Sequence, residues 1–196
     1  PPLKGHKKKI LVKFLLQQTH LFTMLNKKFN QEKNMIVGII GAGYIAGVQI
    51  KQLLRLAPHV KIKWLIDPEL YQAKELARIH GIPFTSQQYE DAIFDEEVDV
   101  IHNCTPNHFH FVVNKLALEQ GKHVFSEKPL AMTADEGWQL VDLAKEKGKE
   151  AGVNFCYRYY PALLEAQQQL KEKSLGKINL VRGHYLQDWL LYKNDF

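Results

Sequence analysis

The sequence predicts an α/β chain built on a doubly wound parallel sheet. From Met35 onward, short apolar runs alternate with amphipathic stretches of helical length, and a glycine-rich turn joins the first run to the first such stretch. Parallel strands need a long return connection, usually a helix, so this alternation is their signature.

Met35-Ile36-Val37-Gly38-Ile39-Ile40 reads as a strand buried on both faces. Ala46, Ile50, Leu53, Leu54 and Ala57 then recur at helical spacing, and Pro58 closes that helix. Residues 61–67 form a second strand, in which Ile62, Trp64 and Ile66 alternate with Lys61, Lys63 and Leu65. Pro68 suits the first turn of the next helix, which Gly81 and Pro83 end. A short strand over 82–84, a small helix over 89–94 and a fourth strand over 98–103 follow. Phe109, Val112, Val113, Leu116 and Ala117 make the stripe of the next helix, stopped at Gly121. A fifth strand covers 123–125. Thr133 and Glu136 form a capping box for a helix that stops at Gly148. A sixth strand covers 151–155.

Beyond it the rhythm changes. Pro161 opens a helix to about 173, a Gly176-Lys177 turn follows, and 178–190 reads as one long strand. The expected organisation is a leader over 1–34, a nucleotide-binding domain over 35–156, and the incomplete start of an α+β second domain over 157–196.

With 196 residues, 45% hydrophobic and 24% charged, the chain has room for one domain and part of another, with an ordinary soluble composition. Cys104 and Cys156 are too few for a disulfide scaffold and have no histidines at zinc-ligand spacing, so no metal is expected. They read as two thiols of a reducing cytoplasm. The net charge of +5 comes from the leader, which holds eight lysines and the single acid Glu32; the remainder carries two more acids than bases. No nucleic-acid partner is expected. In the leader, Lys7-Lys8-Lys9 precedes an apolar run that Lys13, Gln17, Gln18 and His20 interrupt, with no small-residue cleavage site. It is neither a secretory signal nor long enough to span a bilayer. A basic helix lying on a membrane fits its composition. The plainer expectation is that Met35 is the start and that 1–34 is upstream sequence that packs poorly.

Gly41-Ala42-Gly43-Tyr44-Ile45-Ala46 stands between the first strand and the first helix. Gly41 permits the tight turn, Gly43 lets a pyrophosphate approach the backbone, and small Ala46 lets helix and sheet pack closely; the helix start supplies amide donors and partial positive charge. Asp67, at the end of the second strand, is placed to accept hydrogen bonds from adenosine ribose hydroxyls. No lysine or arginine follows it at once, so NAD is expected in preference to NADP. The competing reading is that Asp67-Pro68 merely caps a helix. The strand, loop, helix and acid together predict a Rossmann-type fold.

Three further segments stand at strand ends: Cys104-Thr105-Pro106-Asn107-His108-Phe109-His110; Glu127-Lys128-Pro129-Leu130-Ala131, preceded by Gly121-Lys122-His123-Val124; and Asn154-Phe155-Cys156-Tyr157-Arg158-Tyr159-Tyr160-Pro161. With the glycine loop, this ordered set resembles the Gfo/Idh/MocA oxidoreductases over roughly 35–190. The resemblance implies a dehydrogenase acting on a sugar, cyclitol or related polyol, with a homo-oligomer when full length. It implies that Cys104, Thr105, Pro106, Asn107 and His110 line the nicotinamide-ribose side. It implies that Glu127 and Lys128 lie beside the nicotinamide and substrate hydroxyl, with Lys128 catalytic. A partly desolvated lysine near a cationic ring has reason to release its proton, and so to orient or help deprotonate an alcohol. Asn154 and Arg158 match positions near the domain junction, where Arg158 reads equally well as structural. His102 and His123 read as packed histidines; Tyr157, Tyr159 and Tyr160 read equally as junction core. Tyr185, Gln187, Asp188 and Trp189 stand on the long strand, whose counterpart faces the substrate cleft.

The family's second domain adds an Asp and a His facing the lysine, and nothing in this sequence matches them. A site made from Lys128 alone is incomplete, and the 196-residue chain is expected to be inactive by itself. The other readings are a non-catalytic NAD-binding regulator or fragment, and a glycosidase of the same family that uses NAD transiently.

Overall fold

The computed structural model describes residues 34–56 and 58–186. The expectations for the leader over 1–33, for Ala57, and for Gln187, Asp188 and Trp189 lie outside the described residues. Six strands form one parallel sheet: β1 (Met35–Ile40), β2 (Val60–Ile66), β3 (Phe84–Ser86), β4 (Val100–Asn103), β5 (His123–Ser126) and β6 (Ala151–Val153). Their order is β3-β2-β1-β4-β5-β6. The crossovers carry α1 (Tyr44–Leu54), α2 (Leu70–His80), α3 (Tyr89–Ile93), α4 (His110–Glu119) and α5 (Ala134–Lys147), and α6 (Pro161–Lys171) follows the last strand. Succession runs outward from β1 in both directions. The loops leaving β1 and β4 therefore part at the carboxyl edge and open a crevice there, as in every Rossmann-type sheet.

Apolar residues cover both faces of that sheet. On one, Ala46, Ile50 and Leu53 of α1 and Ala73 and Ala77 of α2 pack with Val37, Ile39 and Leu65. On the other, Ala92 and Ile93 of α3, Val113, Ala117 and Leu118 of α4, and Leu140 and Ala144 of α5 pack with Ile66, Ile101 and Val124. The capping box of α5 forms as its residues require: Thr133 Oγ1 accepts from Glu136 N–H, and the Glu136 carboxylate accepts from Thr133 N–H.

Four expectations need correction. First, α2 begins at Leu70 rather than at Pro68, because Asp67 Oδ1 accepts the Glu69 N–H and holds Pro68 in a turn outside the helix. Second, β3 lies two residues beyond 82–84; Ile82 is spent on closing α2, its N–H donating to the Ala77 carbonyl around left-handed Gly81. Third, α4 buries His110, Val113, Asn114, Ala117 and Leu118, while Phe109 and Val112 are exposed. The stripe is turned by one residue because two polar side chains find hydrogen-bond partners inside. Fourth, the strand expected over 178–190 is absent from 178–186, where the backbone is irregular and exposed. A strand is held by its neighbours, and no described segment pairs with this one.

Candidate cofactor-binding site

Gly41 leaves β1 with φ +96°, and a Cβ there would stand 2.5 Å from the Cys104 carbonyl oxygen. The two loops at the switch point thus touch through backbone, and only glycine allows it. Gly43, the N-cap of α1, has no heavy atom within 4 Å of where a Cβ would be and carries no side-chain cap. The first intrahelical bond of α1 runs from Gly47 N–H to the Gly43 carbonyl. The amides ahead of it face the opening, with the positive end of the helix dipole behind them. That combination of bare backbone, open space and unspent donors fits a pyrophosphate. Ala46 is fully buried, Ile45 packs on the core, and Tyr44 projects into solvent.

Asp67 is bound at both oxygens. Oδ2 accepts the Ala42 N–H at 2.7 Å and Oδ1 the Glu69 N–H at 2.9 Å. The carboxylate ties the glycine loop to the turn after β2, and each oxygen retains a lone pair for a further donor.

The loop after β4 is shaped by Asn103, which is fully buried. Its Oδ1 accepts from Thr105 N–H and Thr105 Oγ1 (3.2 and 2.7 Å), and its Nδ2 donates to Asn114 Oδ1 at 2.8 Å. Pro106 and Asn107 are consequently exposed at the mouth, on a 3-10 turn at Asn107–Phe109. His110 is fully buried: its Nδ1 faces the Pro129 carbonyl and its Nε2 the Thr105 carbonyl at 2.8 Å. It meets the site through the two loops it ties. Cys104 is buried, and burial together with the nearby Glu127 carboxylate pushes its thiol strongly upward, leaving it an unreactive packing group.

After β5, Glu127 is buried and Lys128 exposed, beside a cis bond to Pro129. Glu127 Oε1 accepts from Asn154 Nδ2 at 2.7 Å and from Gln49 Nε2. The Lys128 side chain is exposed rather than partly desolvated as expected, and among the described residues it makes no hydrogen bond or ion pair. Arg158 is exposed on the 3-10 turn Cys156–Tyr159, again with no side-chain partner among the described residues. Tyr157 and Tyr160 are exposed rather than core; Tyr157 packs edge-on against Tyr160 and Tyr185 and shares a hydrogen bond with the Tyr185 hydroxyl. Lys122 serves the opposite edge, its Nζ donating to the Asp95 and Val98 carbonyls. An open groove of about 520 Å³ also lies at that amino edge, between Ile36, Lys61 and Pro83, away from these groups.

The structure thus brings Gly41, Gly43, Asp67, Cys104 through Asn107, Glu127, Lys128 and Asn154 to one carboxyl edge. Gln49, Asn103 and Asn114 were not anticipated. Their signal is a polar residue at an apolar position of the pattern, as Gln49 is between Ala46 and Leu53 on α1.

These features define a Rossmann-type domain of the dinucleotide-binding class. The chain belongs to the Gfo/Idh/MocA family: the model of the oxidoreductase family with the NAD-binding Rossmann fold matches residues 35–155. Among similar proteins, levoglucosan dehydrogenase of Pseudarthrobacter phenanthrenivorans is 35% identical, over 80% of this chain and 42% of that protein. Inositol 2-dehydrogenase/D-chiro-inositol 3-dehydrogenase of Lactiplantibacillus plantarum is 27% identical over 77% of this chain and 44% of its own. The structure of scyllo-inositol dehydrogenase from Lactobacillus casei, with bound NAD(H) and scyllo-inositol, superposes with a TM-score of 0.69 at 20% identity over 74% of this chain and 43% of that one. The chain spans less than half the length of these relatives. Among the described residues no helix is long and apolar enough to cross a membrane, and no cluster of side chains could hold a metal ion.

Proposed function

We propose that the protein is an NAD-dependent oxidoreductase that removes hydride from a hydroxyl of a sugar, cyclitol or related polyol, working in the cytoplasm as a homo-oligomer. The observation carrying this reading is the convergence of an open glycine-capped helix start, an acid and a lysine without a partner among the described residues on the carboxyl edge of one sheet. The relatives named for levoglucosan and inositols support the hydroxyl-bearing substrate class.

The α1 amides hold the pyrophosphate, and Asp67 uses its remaining lone pairs for the adenosine ribose hydroxyls. Pro68 and Glu69 follow Asp67, so a 2′-phosphate would meet a carboxylate and no cation, which favours NAD over NADP. The backbone of Cys104 through Asn107, with Asn154 and Arg158, would bound the nicotinamide-ribose end. NAD, once bound, supplies the hydride acceptor. Lys128 Nζ would orient the substrate hydroxyl through a hydrogen bond. His110, facing the Pro129 carbonyl, ties down the loop that carries Lys128.

Titration of the chain with NAD+ and NADP+ tests the cofactor reading: NAD+ should bind more tightly, and tighter NADP+ binding overturns the preference. In a preparation that turns over a polyol, Lys128→Ala should lower kcat by about 10²–10⁴ while leaving NADH affinity nearly unchanged. Wild-type turnover in that variant rejects the role of Lys128.

A further inference from the structure

Behind the site a chain of polar side chains crosses the interior. Gln49 of α1, His102 of β4 and Glu127 after β5 are 2%, 4% and 8% exposed. Gln49 Nε2 donates to Glu127 Oε1, the oxygen that also accepts from Asn154 Nδ2, while Gln49 Oε1 lies 2.6 Å from His102 Nδ1. The chemistry of the groups fixes the direction of this chain. Glu127 Oε1 accepts from two amides, so Gln49 turns its NH2 toward Glu127 and its carbonyl toward His102. His102 must then carry its proton on Nδ1. Its ring lies against Phe125 with centroids 5.1 Å apart, so the imidazole cannot swing away. Every donor in the chain points toward Glu127.

Apolar residues would fill the same space without needing partners, and a buried carboxylate costs desolvation wherever it is placed. Here the middle of α1, the end of β4 and the loop after β6 are all engaged in fixing one carboxylate. Lys128 is its sequence neighbour, and the Cys104 thiol feels its charge. A negative charge in a water-poor interior acts across several ångströms with more force than it would in solvent. Glu127 stands at the carboxyl edge where an NAD site would bring the nicotinamide, and that ring is cationic when oxidised and neutral when reduced.

We propose that Gln49 and His102 are positioning residues that hold the Glu127 carboxylate toward the nicotinamide end of the site, so that the protein favours the oxidised dinucleotide over the reduced one. This rests on the NAD-site reading given above. Among the described hydrogen bonds, that of Gln49 joins the helix that would receive the pyrophosphate to the loop that carries Glu127 and Lys128. Without its amide, the carboxylate loses one of the two donors described for it and is released to turn away from the ring.

The test is titration of the 196-residue chain, wild type and variants, with NAD+, NADH and ADP-ribose, the last lacking the nicotinamide. Gln49→Met should weaken NAD+ about tenfold, NADH no more than about twofold and ADP-ribose not at all, as expected for loss of one charge interaction confined to the ring. Glu127→Gln should do the same at least as strongly, and His102→Leu should shift the NAD+/NADH ratio in the same direction by less. Should circular dichroism show Gln49→Met unfolded, the size-conserving Glu127→Gln and the distal His102→Leu decide. Equal weakening of all three ligands, or an unchanged ratio, overturns the proposal and leaves the network a structural tie. If the wild type binds none of the three, the NAD-site reading itself falls; if it binds them and the variants keep its ratio, only the positioning role falls.

Discussion

His102 is enclosed on all sides, and burial pulls its pKa from 6.5 down to about 3. In the unfolded chain the same ring takes up a proton near pH 6.5. Between those two values the unfolded state binds one proton more than the native state, so stability rises with pH across the window and is indifferent to His102 above it. Acidification below 6.5 should therefore cost the fold up to about 1.4 kcal/mol per pH unit from this residue. Thermal melts from neutral pH down toward 4.5 should show that slope in the wild type and its loss in His102→Gln. A variant with the wild-type slope would assign the acid sensitivity to other groups. The sequence reading placed His102 correctly as a packed histidine and could go no further, because its partner Gln49 lies on a different element. Asn103 and Asn114 escaped for the same reason: a polar residue looks exposed until the group that satisfies it is known.

At the scale of elements, local chemistry was legible and orientation was less so. The capping box at Thr133 and Glu136 and the glycine stop at Gly148 are written in adjacent residues, and the structure has both. The rotation of α4 is not, since it depends on carbonyls of two loops that His110 reaches across the fold. The glycine loop divides along the same line. Gly41→Ala places a Cβ against the Cys104 backbone at a positive φ, which should destabilise the domain by about 1–3 kcal/mol from backbone strain alone. Gly43→Ala meets nothing in the protein. It should melt like the wild type yet lose NAD affinity at least about tenfold, because the new methyl occupies the approach of the pyrophosphate. Equal loss of stability in both variants would mean that Gly43 serves the fold; unimpaired binding by Gly43→Ala would remove the pyrophosphate from that position.

For the molecule as a whole, the alternation of runs foretold the six parallel strands from Met35 to Val153 and failed at the point where alternation ceased to be repeated. A segment such as 178–190, rich in branched and aromatic residues, has the composition of a strand, but strand structure requires a partner edge, and composition says nothing about where that edge is. The consequence is visible on the surface. Helix α6 buries no residue, and Leu163, Leu170, Leu175, Leu180, Val181 and Leu186 are all exposed. An amphipathic helix followed by uncovered branched side chains makes an apolar area that water does not tolerate on a monomer at working concentration. The 196-residue protein should therefore self-associate, its apparent mass by light scattering rising with concentration and falling with mild urea. Removing 161–196 should give a monodisperse monomer that still melts cooperatively, because among the described residues both core clusters draw on 35 to 144. A monodisperse monomer of the intact chain would mean that residues 161–196 cover their own apolar surface; aggregation that persists after their removal would place the cause in the sheet domain.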